Sequence, residues 1–144
     1  MLDYGGGNGF LAGTLARNGF KATATYDPFT PEFDKLPDRK FNIVSCFETF
    51  EHVPDPHRLI ETIAKCVEDN GMVVFSTLIQ PPHFEKIGLG WWYLGPRNGH
   101  ISLFTPKALA ELWGRQGFRF GSLNNNLHVA FREIPEFARH LMRA

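Results

Sequence analysis

Leu2-Asp3-Tyr4-Gly5-Gly6-Gly7-Asn8-Gly9 runs a strand end straight into a glycine-rich turn, and Phe10, Leu11 and Leu15 follow at helical spacing up to the stop signal Asn18-Gly19. Strand, glycine turn and helix in that order form the place where open α/β sheets bind ligands. Glycine lets the backbone approach a ligand that a Cβ would keep away. Twenty residues beyond Gly7 stands Asp27, at the end of a second apolar run, Phe20 to Tyr26. A carboxylate there is placed to accept both hydroxyl hydrogens of a ribose. These features predict an adenosine-type cofactor site. They do not choose among cofactors, because Gly7-Asn8-Gly9-Phe10-Leu11-Ala12 also satisfies the GxGxxA form of the dinucleotide fingerprint.

Outward from this turn, strand and helix patterns keep alternating, which is the mark of a parallel sheet covered by helices. Pro28 to Lys40 carries three prolines and several charges and reads as irregular. Phe41 to Phe47 is a largely apolar strand of the kind buried on both faces. Asp55 and Pro56 read as an N-cap and first helical residue. Leu59, Ile60, Ile63, Ala64 and Val67 form the buried stripe, and Gly71 is expected to close the helix. Met72 to Ser76 is the next strand. Thr105-Pro106 caps a helix that buries Leu109, Leu112 and Trp113 and ends by Gly117. Phe118 to Leu123 and Leu127 to Arg132 are two strands joined by Asn124-Asn125-Asn126, a triplet suited to a tight antiparallel turn. The expected fold is therefore α/β, Rossmann-like and doubly wound, with a mostly parallel sheet ending in an antiparallel hairpin.

The 144 residues suit a single domain, 1–144, able to bury roughly 70% of its unfolded surface. Fifteen basic residues balance fifteen acidic ones without a basic run, so the electrostatic footprint of a nucleic-acid or membrane-surface binder is missing. A small-molecule partner fits better. Cys46 and Cys66 match neither a redox pair nor a zinc site, which suggests reduced thiols. The opening residues lack the basic and apolar regions of an export signal, and no later stretch is apolar for long enough to span a bilayer. A cytoplasmic location is expected. Oligomeric state is not set by the sequence.

Glu48-Thr49-Phe50-Glu51-His52-Val53-Pro54-Asp55-Pro56 follows directly on the strand Phe41 to Phe47. Glycine turn, ribose aspartate and this Glu-xx-Glu-His-Val-x-Asp-Pro stretch, in that order, resemble class I S-adenosylmethionine-dependent methyltransferases of the small-molecule type. The resemblance covers nearly the whole chain. It implies that Asp3, Gly5, Gly6, Gly7 and Gly9 shape the cofactor turn, that Asp27 holds the ribose, and that Phe47 and Glu48 line the methionine end. His52 matches a Glu-His pair that sits beside the transferred methyl in such folds. Read from the residues alone, Phe47 could equally be core, and Glu48 with His52 could be a helical i, i+4 pair on a solvated face.

The long connection 79–101 is expected to form a substrate-side lid, a position over the active site that the resemblance also implies. Trp91, Trp92 and Tyr93 can wall a pocket, Arg97 can pair with a carboxylate or phosphate, and His100 can accept a proton from an attacking hydroxyl or amine. The same aromatics could serve only to bury area. No two of the six histidines share the i, i+4 spacing of helix-borne ligands, so no metal site is expected. The resemblance implies S-adenosylmethionine as the cofactor, with a hydroxyl or amine of a small molecule as the expected methyl acceptor. The competing readings are an NAD(P)-dependent oxidoreductase and a non-catalytic S-adenosylmethionine-binding module.

Two departures from the family pattern stand out. Only Met1 and Leu2 precede Asp3, against about five residues in a typical strand, and the family carries helices ahead of this strand. The sequence is thus expected to start late relative to the family. The Pro28 to Lys40 segment is also short for the helix and edge strand that the resemblance implies, so one strand is expected to be missing. Leu36-Pro37-Asp38 lies at the stage of the chain where the adenine contact belongs.

Overall fold

The computed structural model describes residues 1–95 and 97–142. Among these, β1 (Leu2–Tyr4), β2 (Ala24–Tyr26), β3 (Phe41–Cys46), β4 (Val67–Ser76), β5 (Arg119–Ser122) and β6 (Leu127–Phe131) form one sheet. Its order is β2-β1-β3-β4-β6-β5. The first four strands are parallel, while β6 joins β4 and β5 antiparallel. This is the expected α/β sheet with a C-terminal hairpin. Asn124 closes the hairpin through its side-chain oxygen, which accepts the N–H groups of Asn126 and Leu127, both at 2.8 Å.

Register explains the main core. Ala24, Leu2, Val44, Val73, Ala130 and Phe120 are partners in turn across all six strands. The middle four of that row are fully buried. Helix α2 (Pro56–Lys65) covers this face with Leu59, Ile60, Ile63 and Ala64, and α4 (Pro106–Gly114) with Leu109 and Trp113. Both helices start where local chemistry dictates. Asp55 accepts the N–H of Arg58 at 3.0 Å and Thr105 that of Ala108 at 3.1 Å, each ahead of a proline at the first helical position. The opposite face is packed around Met72, Val129, Phe131 and Ala138. Helix α1 (Phe10–Arg17) buries Ala12 and leaves Phe10 exposed.

Three boundaries differ from the sequence expectation. The second strand is only Ala24–Tyr26, since Phe20 is exposed and its N–H belongs to the turn that ends α1, donating to the Leu15 carbonyl. Helix α2 stops at Lys65, so Val67 is not part of its buried stripe but the first residue of β4. Gly71 therefore closes no helix. It lies inside β4, where the pairing with β3 slips between Phe41 and Ile43, and a Cβ on it would stand 2.8 Å from the Asn42 carbonyl oxygen. A bulge with close backbone approach explains this glycine. Among the described residues no strand forms between 27 and 40, as the short segment suggested.

Candidate active site

Strands β2, β1 and β3 are adjacent and parallel, so their carboxyl ends bring Asp27, the glycine turn and Phe47-Glu48 to one edge of the sheet. The turn is bound to β2 by its backbone: Gly5 and Gly6 both donate to the Tyr26 carbonyl, at 2.8 and 3.2 Å. Gly7 donates to Oδ2 of Asp27 at 2.9 Å, and Phe29 donates to Oδ1, also at 2.9 Å. The aspartate is thus held facing the turn, and each carboxylate oxygen retains a further lone pair for a ligand hydroxyl.

Gly7 has φ +54°, and a Cβ built on it would meet no atom within 4 Å. The bend is open. Gly5, at φ +74°, lies against the Thr49 side chain, and Gly6 against the Asp3 carboxylate, so neither position has room for a Cβ. Phe33, which the sequence reading missed, stands beside Gly9 from the irregular segment, where a Cβ on that glycine would come within 3.0 Å of its ring. Only its aromatic character within a polar stretch could have marked it. Leu36, in the segment singled out for the adenine contact, is partly exposed.

Asp3 is buried and accepts a hydrogen bond from Ser45 at 2.7 Å. Burial pushes its carboxyl above the usual carboxylate range; the Ser45 hydroxyl opposes this and the Asp27 charge adds to it. Phe47 is 37% exposed at the tip of β3, so it is not core. Glu48 is not part of a helix either: its φ is +48°, rare for a residue with a side chain. Ser76 at the end of β4 holds it there, accepting the Glu48 N–H at 2.9 Å and donating to Oε1 at 2.7 Å. A neighbouring strand thus fixes a backbone conformation that a residue with a side chain seldom adopts. Asp27 and Glu48 thus lie just past the ends of β2 and β3, and Asp3 lies within β1 between those strands.

Past β3 the chain makes a 3-10 turn, Phe50–His52, anchored by Phe50, which stacks on Phe75 with ring centroids 4.6 Å apart. The turn buries Glu51 completely and leaves His52 exposed. His52 and His100, 48 positions apart, meet edge to face with centroids 4.8 Å apart. Sequence spacing could not show this pairing, because it depends on how the connection after β4 folds back.

That connection contains a short helix α3 (Phe84–Ile87) and two 3-10 turns, Gly88–Gly90 and Trp92–Leu94. Trp91 and Tyr93 are buried and pack together at 5.0 Å between centroids, whereas Trp92 is 71% exposed and Arg97 is exposed. The structure therefore splits the four residues expected on the substrate side. Trp91 lines a cavity of about 790 Å³ with Gln80, Pro81, Phe84 and Asn125. Burial pushes the Tyr93 phenol up to about 12, with the Glu51 carboxylate adding in the same direction. Cys46 and Cys66 are both buried free thiols, and no helix among the described residues is long and apolar enough to cross a membrane.

A family described as "Methyltransferase domain" matches residues 1–123. The ubiquinone biosynthesis O-methyltransferase of Escherichia coli O9:H4 (strain HS) is 28% identical over 135 residues, spanning 78% of this chain and 54% of that protein. The protein of the same name from Vibrio cholerae serotype O1 is 34% identical over 101 residues, 54% of this chain and 41% of its own. The chain thus spans about half the length of the curated relatives it matches. Among solved structures, an O-methyltransferase family protein from Burkholderia thailandensis superposes with a TM-score of 0.71 at 16% identity, covering 94% of this chain and 51% of that one. Magnesium protoporphyrin IX methyltransferase from Synechocystis, solved with bound SAH, gives 0.65 at 17% identity over 92% of this chain and 73% of that one. Fold and site together define a nucleoside-cofactor domain of the Rossmann type. The chain belongs to the class I S-adenosylmethionine-dependent methyltransferases.

Proposed function

We propose that this domain transfers a methyl group from S-adenosylmethionine to a hydroxyl of a small molecule. The observation that carries the reading is the open bend at Gly7 faced by Asp27, with Asp3 inside β1 and Glu48 just past β3. When bound, S-adenosylmethionine supplies a methyl on a sulfonium whose leaving group is a neutral thioether. Asp27 accepts hydrogen bonds from the ribose, and Glu48 pairs with the cationic end of the methionine moiety. Three carboxylates favour a ligand of net positive charge and disfavour a dinucleotide, whose pyrophosphate is anionic.

An in-line displacement asks the protein mainly to align acceptor and methyl in a dry pocket. Trp91, on the wall of the cavity beside β4, and Tyr93 behind it supply apolar surface on the acceptor side. His52 and His100 mark the place where the attacking hydroxyl loses its proton. The oxygen acceptor is favoured over nitrogen by the names of the relatives, both O-methyltransferases of ubiquinone biosynthesis.

The test is differential thermal stabilisation followed by labelled-methyl transfer. S-adenosylhomocysteine at a hundred times its dissociation constant should add about 2.7 kcal/mol and raise the melting point by several degrees, while NAD should leave it unchanged. Label should then pass to phenolic acceptors. Stabilisation by NAD and not by S-adenosylhomocysteine would overturn the proposal.

A further inference from the structure

Glu48 holds a backbone conformation that its own Cβ disfavours, with φ +48° in the left-handed region. A single hydroxyl keeps it there. Ser76 Oγ accepts the Glu48 N–H at 2.9 Å and donates its hydrogen to Glu48 Oε1 at 2.7 Å, so one atom fixes both the backbone and the carboxylate of the same residue. The shorter contact has the length of a charge-assisted hydrogen bond.

Ser76 can act as the fixed partner because the sheet holds it from both sides. It is the last residue of β4, the strand flanked by β3 and β6, where it pairs with Leu127 and is 6% exposed. The next residue, Thr77, is fully buried; its N–H donates to the Asn126 carbonyl at 3.1 Å, and its carbonyl accepts Nε2 of His128 at 2.9 Å. Glu48, in contrast, lies beyond the end of β3, where the chain has left the sheet. The anchored residue therefore sets the place of the one that is not.

We infer that Ser76 is the positioning residue for Glu48, and that through Glu48 it makes the domain prefer a thioether nucleoside that carries an amino-acid arm over the same nucleoside without one. The inference rests on the proposed pairing of Glu48 with the cationic end of the methionine moiety. A carboxylate offers about four acceptor positions and Ser76 takes one, which leaves the others for an ammonium group. A carboxylate that must first be ordered gives up part of its attraction to the entropy of ordering. Ser76 supplies that order before the ligand arrives. Its hydroxyl is engaged with Glu48 both as donor and as acceptor, so its effect is confined to what Glu48 binds.

Two ligands separate this role from a general one. S-adenosylhomocysteine carries the amino-acid arm, whereas methylthioadenosine keeps the adenosine and the sulfur and lacks the arm. By calorimetry, Ser76→Ala should weaken S-adenosylhomocysteine roughly 10-fold and leave methylthioadenosine unchanged. A merely structural role weakens both ligands alike; that result overturns the inference, and so does unchanged affinity for S-adenosylhomocysteine. In a Glu48→Ala background, Ser76→Ala should cost nothing further, because a residue that acts only through Glu48 has nothing left to hold. An added loss of S-adenosylhomocysteine affinity there overturns the inference as well. Ser76→Cys, similar in size and a weak donor, should show the same selective loss and makes the test where the alanine variant is unstable. Wild type that binds neither ligand breaks the functional reading and this inference with it, whereas wild type that binds both, with Ser76→Ala unchanged, breaks this inference alone.

Discussion

The turn at residues 5–9 and the connection that leaves β4 after Ser76 both start from carboxyl ends of parallel strands, yet they are built by opposite means. In the first, backbone amides do the work: Gly5 and Gly6 bond to Tyr26, Gly7 bonds to Asp27, and the space where a Gly7 side chain would stand is open. In the second, aromatic and imidazole rings do it, with Trp91, Tyr93, His100 and His52 packed in succession. A site made of backbone geometry is written in residue types that have few other uses. A site made of packed rings is written in residue types that serve any core.

Trp113→Ala sets the upper limit for both regions, because Trp113 packs against Phe50, which anchors the turn carrying Glu51 and His52, and against Phe75 of β4. It should cost ~3–5 kcal/mol in urea unfolding, and a smaller loss would mean that the two regions do not share one core. Asp27→Ala acts on the first region alone. It removes a charged acceptor worth about 1.5–3 kcal/mol, so the affinity for S-adenosylhomocysteine measured by calorimetry should fall roughly 10–100-fold. Unchanged affinity would take Asp27 out of the site. Gly5→Ala places a Cβ against Thr49 at φ +74°, and the left-handed backbone alone should cost ~1–2 kcal/mol, seen as a lower melting point.

Tyr93→Phe probes the second region by deleting the hydroxyl that accepts the Leu78 N–H at 3.2 Å, with an expected loss of ~1 kcal/mol. If it weakens S-adenosylhomocysteine binding as much as Asp27→Ala does, the contrast between the regions fails. The smallest effect is a slope with pH. His128 is buried between Ser122 and the Thr77 carbonyl, and burial lowers its pKa from 6.5, against the pull of that carbonyl. The unfolded chain then binds the proton more readily than the folded one, so stability should decline as pH falls below about 6.5 and level off once the folded form is also protonated. His128→Gln should flatten that slope in melts between pH 5 and 8.

The same contrast explains what could be read in advance. The placement of Asp3, the glycine turn and Asp27 at one edge of the sheet, and the caps Asp55 and Thr105, were legible because each position follows from backbone chemistry within a few residues or from one strand-to-strand step. Gly71 misled for the same reason: a glycine after a helical stripe looks like a stop signal, and only the register of β4 against β3 shows it to be a bulge. Glu51 could be quoted within its stretch but not valued, since its burial depends on Phe50 stacking on Phe75. The meeting of His52 with His100 and the division of Trp91 from Trp92 depend on contacts made across tens of residues, and no local pattern encodes them.

The antiparallel placement of β6 has a bearing on synthesis. Strand β4 gains its second neighbour only through Leu127–Phe131, whereas β1, β3 and β4 can already pair once Ser76 has left the ribosome. Until about fifty more residues emerge, the apolar run Met72–Phe75 offers a bare edge to any passing strand. Nascent chains halted before the hairpin should therefore be the form of this protein that clumps and calls on chaperones.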